Sequence, residues 1–217
     1  MAGAERDRLY WGFGIGIPTV NYTNNTTLSE SGYADSSYFQ AVDLVRNNSV
    51  SGVGFNIKFG LIYRPIQLLR FAVSYQSPSW YNVNETYSIQ AIGFARDGYQ
   101  SIGDIYLLDD IKYGLSTPAI YRAGVATVIG KLAILSADVE YSDPTNTTIN
   151  GKGTNDFSAD QDYYQSEAKE TITLKAGAEL RLGRKLFLRG GYQYRDSNFE
   201  NEDDYQSSLT AYSGGIG

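Results

Sequence analysis

Between residues 171 and 195 apolar and polar side chains alternate almost without interruption. Ile172, Leu174, Ala176, Ala178, Leu180 and Leu182 fall on one side, with Thr171, Thr173, Lys175, Gly177, Glu179 and Arg181 on the other. After a turn at Gly183 and Arg184 the pattern resumes, with Leu186, Leu188, Tyr192 and Tyr194 against Lys185, Arg189, Gln193 and Arg195. Successive side chains of a strand project to opposite faces, so this stretch predicts a hairpin with one apolar wall and one ionic wall.

The same period recurs elsewhere. Leu9, Trp11, Phe13, Ile15 and Ile17 alternate with Tyr10 and three glycines, and Val53, Phe55, Ile57, Phe59, Leu61 and Tyr63 alternate with Gly54, Asn56, Lys58 and Gly60. Comparable runs cover residues 69–76, 119–129 and 133–141, and a final strand is expected over 208–216. The total is about eight strands, each near or above the ~9 to 11 residues that cross a bilayer when tilted.

The connections alternate in length. Residues 64–67, 130–131 and 183–184 are short turns, whereas 19–50, 79–107, 142–168 and 196–206 are long. Short turns at one end and long loops at the other are the layout of an outer-membrane barrel. Trp11, Tyr63, Tyr75, Tyr121, Tyr141 and Tyr194 fall toward strand ends, as interfacial girdles require. The expected fold class is therefore all-β, an antiparallel up-and-down transmembrane β-barrel with about eight strands in this chain. A soluble, lipocalin-like can would satisfy the same alternation with its apolar face turned inward.

Composition removes several chemistries. The 217 residues include no Cys and no His, so disulfides, thiolate sites and every triad built on imidazole are excluded. The chain is not expected to be an enzyme, and the missing His weakens a membrane-embedded lipase or acyltransferase. Nineteen Tyr and 23 Gly against one Met and five Pro suit a girdled β protein. A formal charge of -6 with no basic stripe argues against nucleic acid. No cofactor is expected. No run of ~18 apolar residues occurs, and no basic start followed by an apolar h-region is seen, so an export signal is expected to have been removed or to lie in a missing N-terminal portion.

The run GVGFNIKFGLIYRPIQLLRFAVSYQSPSWYNV, residues 52–83, joins an alternating strand, an Arg-Pro turn and a second strand ending in Ser-Pro and an aromatic. It resembles the FadL/TodX family of outer-membrane fatty-acid and hydrocarbon transporters, closest to the branch found in Bacteroidetes-like bacteria. LSTPAIYRAGVATVIG (115–130), LAILSADVEY (132–141), LKAGAELRL (174–182) and FLRGGYQY (187–194) are similar in the same order.

The resemblance implies a fourteen-stranded barrel plugged by an N-terminal hatch, an apolar groove among extracellular loops, a lumenal pocket and sideways release through the wall. Aligned by strand order, residues 1–217 would be a single barrel domain holding the fifth to twelfth strands, without the hatch. The alternative is a complete eight-stranded barrel with a structural or adhesive role, whose first and last strands pair. The implied partners are a long-chain fatty acid or other hydrophobic small molecule, together with outer-membrane lipid and lipopolysaccharide, and the chain is expected to be a monomer.

Within residues 19–50, Ser36 is expected to cap a short helix carrying Phe39, Val42 and Val45. The resemblance places this loop at the outer groove, so Tyr38, Phe39, Val42, Leu44 and Val45 are candidate ligand contacts; they could equally pin the loop to the rim. On the inner wall Lys58, Arg70, Arg122 and Arg189 are candidate partners for a ligand carboxylate. The competing reading pairs such cations with Asp138, Glu140 and Glu179. Pro78 and Pro118 should interrupt their strands, because each lacks a ladder donor. Asp156, Asp160 and Asp162, like Glu200, Glu202, Asp203 and Asp204, match no calcium-loop template and read as solvated loop charge. Gly12, Gly14 and Gly16 lie inside a strand, so a dinucleotide reading fails its own context.

Overall fold

The computed structural model describes residues 2–5, 8–183, 186–200 and 208–217. Alternation builds the wall in chain order. Strands β1 (Ala2–Glu5), β2 (Leu9–Gly16), the second half of β4 (Phe39–Ile66), β5 (Leu69–Gln76), β8 (Ile120–Ile129), β9 (Ala133–Ser142), β11 (Thr171–Leu182), β12 (Leu186–Arg195) and β13 (Leu209–Ile216) form one antiparallel meander. Each of the eight expected strands is present, and β1 adds a ninth against β2.

Cross-strand register sorts side chains into rows. Phe13 stands opposite Phe59, which stands opposite Tyr75; Tyr75 faces Tyr121, and Tyr121 faces Tyr141. The apolar face is the open one: Trp11, Phe13, Phe59, Val73, Ile172 and Leu174 are all exposed, while Thr171 and Thr173, on the other face of β11, are buried. The buried apolar side chains are Val83, Ala95, Ala133 and Ala168 among the described residues. A lipocalin-like can would enclose its apolar side chains; this wall turns them outward.

β1 and β13 end the meander, and no register pairs β2 or β1 with β13 among the described residues. Among the described residues, then, the eight-stranded closed barrel of the alternative is not formed: β13 pairs there with β12 alone.

Two long connections expected as loops are strands. β4 runs for 28 residues; its second half belongs to the wall, and its first half continues beyond it into a second sheet. There it lies between β3 (Thr19–Ser31) and β6 (Trp80–Ala95), with β7 (Gln100–Ser116) and β10 (Thr148–Gly151) following. The connection after β9 holds a 3-10 turn (Pro144–Asn146), β10 and helix α1 (Ser158–Glu167). The turn after β4 sits slightly later than expected, because β4 reaches Ile66 through a bulge after Tyr63. Gly130 and Gly183 take positive φ in the two remaining short turns, where a side chain would be strained. Arg184, Lys185, Glu202, Asp203 and Asp204 lie outside the described residues.

Candidate functional site

Four of the five prolines lie at the junction of wall and upper sheet: Pro18 between β2 and β3, Pro78 between β5 and β6, Pro118 between β7 and β8, and Pro144 after β9. Each of the first three interrupts a strand that otherwise runs from wall to upper sheet. The register brackets the break. Gln76 pairs with Ile120 below it and Trp80 with Ser116 above it, leaving Ser77-Pro78-Ser79 facing Thr117-Pro118-Ala119 without regular ladder bonds.

Side chains take over where the ladder fails. Ile57 N donates to Ser77 Oγ at 3.0 Å, and Ser77 Oγ donates to the Pro78 carbonyl at 2.9 Å. Ser79 N donates to Thr117 Oγ1 at 3.2 Å, Thr117 N donates to the Ser79 carbonyl at 3.0 Å, and Asn56 Nδ2 donates to Ser79 Oγ at 2.8 Å. A hydroxyl beside each proline thus satisfies a backbone N–H left by the broken ladder, and the Asn56 amide holds the Ser79 hydroxyl. Asn56 is 4 % exposed and its Oδ1 has no partner; it lies over Gly16, where a Cβ would collide with it.

Hollows open on both faces of this break. On the apolar side Tyr75, Pro78, Pro118, Tyr121 and Tyr141 line a space of about 500 Å³, with ring centroids 5.1 Å apart for Tyr75 and Tyr121 and 6.2 Å for Tyr121 and Tyr141. On the polar side Thr117, Pro118, Ile120, Ile149, Tyr164 and Arg195 line one of about 420 Å³. Pro118 borders both. Helix α1 overhangs the polar-side hollow: Gln161 and Gln165 hydrogen-bond the backbone of Ile149 and Thr147, and Tyr164 meets Phe199 edge-on at 5.9 Å. A third hollow, of about 500 Å³, lies lower on the inner wall over Gly12, Gly60, Ala72, Ser74 and Gly124, between Tyr10 and the pair Arg122 and Asp138.

The four inner-wall cations occupy different heights. Lys58, in register with Gly14 and Gln76, lies near the proline break. Arg122 is one row below and Arg70 lower still, opposite Ala126, while Arg189 faces Glu179 near the turn end. Arg122 Nε meets Glu140 Oε2 at 2.6 Å, and Lys175 approaches the same oxygen at 3.9 Å. Glu179 takes Arg189 at 2.7 Å and Arg181 at 3.0 Å. Ion pairing within the wall thus accounts for Arg122, Lys175, Arg181 and Arg189. Lys58 and Arg70 have no ion pair among the described residues. Arg195, at the end of β12, borders the hollow at the break.

The expected helix at residues 36–45 is a turn through Tyr38 followed by strand β4 from Phe39. β4 pairs on both sides there, with β3 and with β6. Strand period sets Val42 and Leu44 on one face and Val45 on the other, so Phe39, Val42 and Val45 do not form a single helical stripe. Phe39 packs on Gly93, where a Cβ would sit 2.6 Å from its ring, and Tyr38 meets it edge-on at 5.2 Å. Arg96 fixes the neighbouring turn, donating to the carbonyls of Tyr33, Ala34 and Ser37 and pairing with Asp35 at 3.3 Å. Of the acidic loop residues, Asp156 accepts from Ser158 N at 2.9 Å at the start of α1, and no metal-ligand cluster occurs among the described residues.

Above the break, Tyr113 donates to Glu85 Oε2 at 3.2 Å and packs on Phe157 at 5.2 Å. Burial first, and the Glu85 charge second, push its phenol up to about 12. A phenol raised in the fold contributes stability that is complete below its unfolded value near 10 and is lost as pH rises through about 12. Phenolate absorbance should therefore show a late-titrating tyrosine that Tyr113→Phe removes; an unchanged titration curve in the variant would contradict this assignment.

No family model matches the chain, and no curated protein matches it. Among solved structures it is similar to the CymD monoaromatic hydrocarbon channel, with a TM-score of 0.61 and 14% sequence identity. The match covers 99% of this chain and 61% of that one, so the chain spans less than two thirds of the channel's length. No helix among the described residues is long and apolar enough to cross a membrane. The likeness is one of fold: an antiparallel up-and-down wall of the transmembrane β-barrel kind.

Proposed function

We propose that residues 1–217 serve as a barrel domain of an outer-membrane protein that carries hydrophobic small molecules, of the FadL/TodX type, with no catalytic role. A compound would be captured at the upper sheet near Tyr38, Phe39, Val42, Leu44 and Val45. It would pass to the inner hollow beneath α1 and leave sideways into the membrane at the break between Pro78 and Pro118. Long-chain fatty acids are one expected cargo, with Lys58 and Arg70 as carboxylate partners ahead of Arg122 and Arg189, whose charges are already met. A carboxylate entering a low-dielectric site needs a charge-assisted partner, and a cation lacking an ion pair supplies one without breaking another.

The observation that carries the reading is Pro118, which borders a hollow on the polar face and another on the apolar face. The likeness in fold to a hydrocarbon channel supports it, as do the outward apolar wall and the tyrosine ledge below the break. The test is uptake of a labelled long-chain fatty acid and a labelled aromatic hydrocarbon by vesicles holding the full chain. Uptake above that of empty vesicles is expected for at least one. Equality for both sinks the proposal.

A further inference from the structure

The outward face of the upper sheet changes character just above the lipid-facing wall. Its lowest row is apolar and aromatic, with Phe55 opposite Trp80, 43 % and 48 % exposed. The next row sets Val53 opposite Asn82, and the row above it aligns Asn21, Ser51, Asn84 and Lys112. Each residue of a strand rises ~3.3 Å, so the Val53–Asn82 row lies about 7 Å above the aromatic row and the Lys112 row about 13 Å above it. Lys152 reaches the same place from beyond β10: its backbone N bonds the Lys112 carbonyl at 3.0 Å and its Nζ meets Asn82 Oδ1 at 2.7 Å. Asn21, Ser51, Asn82, Asn84 and both lysines are exposed and line a hollow of about 550 Å³.

We infer that Lys112 and Lys152, with the amides of Asn82 and Asn84, form a site for the phosphate of a phosphorylated lipid headgroup in the outer leaflet. The inference rests on the membrane reading above. Three features select this occupant. The cations point outward, so they do not serve the inner route. The Lys152 ammonium sits at Asn82, one row above the last aromatic row, and Lys112 stands one row higher, where a lipid anchored beside Phe55 and Trp80 presents its headgroup. Ammonium and amide donors together match an anion with several acceptor oxygens. A soluble phosphate would lack the apolar anchor that holds the headgroup at this height.

The test is a binding titration of the full chain in detergent with bis-phosphorylated lipid A, dephosphorylated lipid A and inorganic phosphate as separate probes. Preference for the phosphorylated lipid is expected, with no measurable displacement by inorganic phosphate at equal concentration. Lys112→Ala/Lys152→Ala should weaken it on the order of tenfold, given the attraction that each basic residue adds at a lipid surface. Lys131→Ala, in the β8–β9 turn at the opposite rim, should leave it unchanged. Equal binding of the two lipids, an unaffected double variant, or full competition by inorganic phosphate would each overturn the site. Folding into vesicles, read by protease protection of the wall, separates the two claims: a chain that does not insert refutes the membrane reading and this site with it. A chain that inserts without lipid preference refutes the site alone.

Discussion

A disulfide between Pro78→Cys and Pro118→Cys should reduce delivery of a hydrophobic compound into the membrane to that of empty vesicles, and reduction should restore it. The chain has no cysteine of its own, so the introduced pair is unique. The flanking pairs Gln76 with Ile120 and Trp80 with Ser116 set positions 78 and 118 opposite each other. Facing residues of an antiparallel pair are ~4.5–5.5 Å apart, within the reach of a disulfide. Closing the bond ties the two strands where their ladder is open, while Asn56, Ser77, Ser79 and Thr117 keep their hydrogen bonds around it. Full delivery by the oxidised form would mean that compounds leave elsewhere.

Leu174→Arg should destabilise the folded, membrane-inserted chain by ~2 kcal/mol, between the midplane and interfacial costs, since Leu174 lies one row below Tyr141. Leu174 is 47 % exposed on the apolar face, between Val139 and Tyr194. A guanidinium there has no carboxylate on its own face, because Glu140 and Glu179 lie on the other side of the sheet. The adjacent Lys175→Ala should cost within ~1 kcal/mol, since it removes only a solvated inner-wall ion pair. Urea titration of the protein in vesicles, followed by tryptophan emission from Trp11 and Trp80, gives both values. The reverse ranking would turn the wall inside out.

The wall was legible because lipid on one side and a polar interior on the other leave a two-residue signature in residues such as Ile172 to Leu182. The upper sheet carries no such contrast. β3 reads TVNYTNNTTLSES, and 12 of its 13 residues, all but Val20, are exposed, so neither face is marked apolar and the segment resembles a loop. The short helix expected at residues 36–45 rested on Phe39, Val42 and Val45 at helical spacing. Pairing with β3 and β6 outweighed that spacing, and the two-residue step from Val42 to Leu44 was the signal that favoured a strand. Helix α1 escaped notice for the opposite reason: it buries no side chain and has no apolar stripe.

At the candidate site, residue types were readable and their partners were not. Pro78 and Pro118 announced interruptions, yet their alignment across two strands depends on register that one sequence does not specify. The hydroxyls beside them, Ser77, Ser79 and Thr117, were visible signals of backbone groups needing replacement partners. Lys175 stands opposite Asp138 in register, but its ammonium lies within 3.9 Å of Glu140, a choice set by side-chain reach across the row.

The route through the wall is tested most directly by mapping the adducts of a photoreactive hydrocarbon supplied from the aqueous side to the Pro78→Cys/Pro118→Cys protein, reduced and oxidised. In the reduced form adducts should fall both at Ile120 and Tyr164 on the inner side and at Tyr121 and Tyr141 on the lipid side. Oxidation should preserve the inner adducts and remove those at Tyr121 and Tyr141. Lipid-side adducts unchanged by oxidation would show that the compound reaches those tyrosines from the bilayer, and would contradict passage through the break.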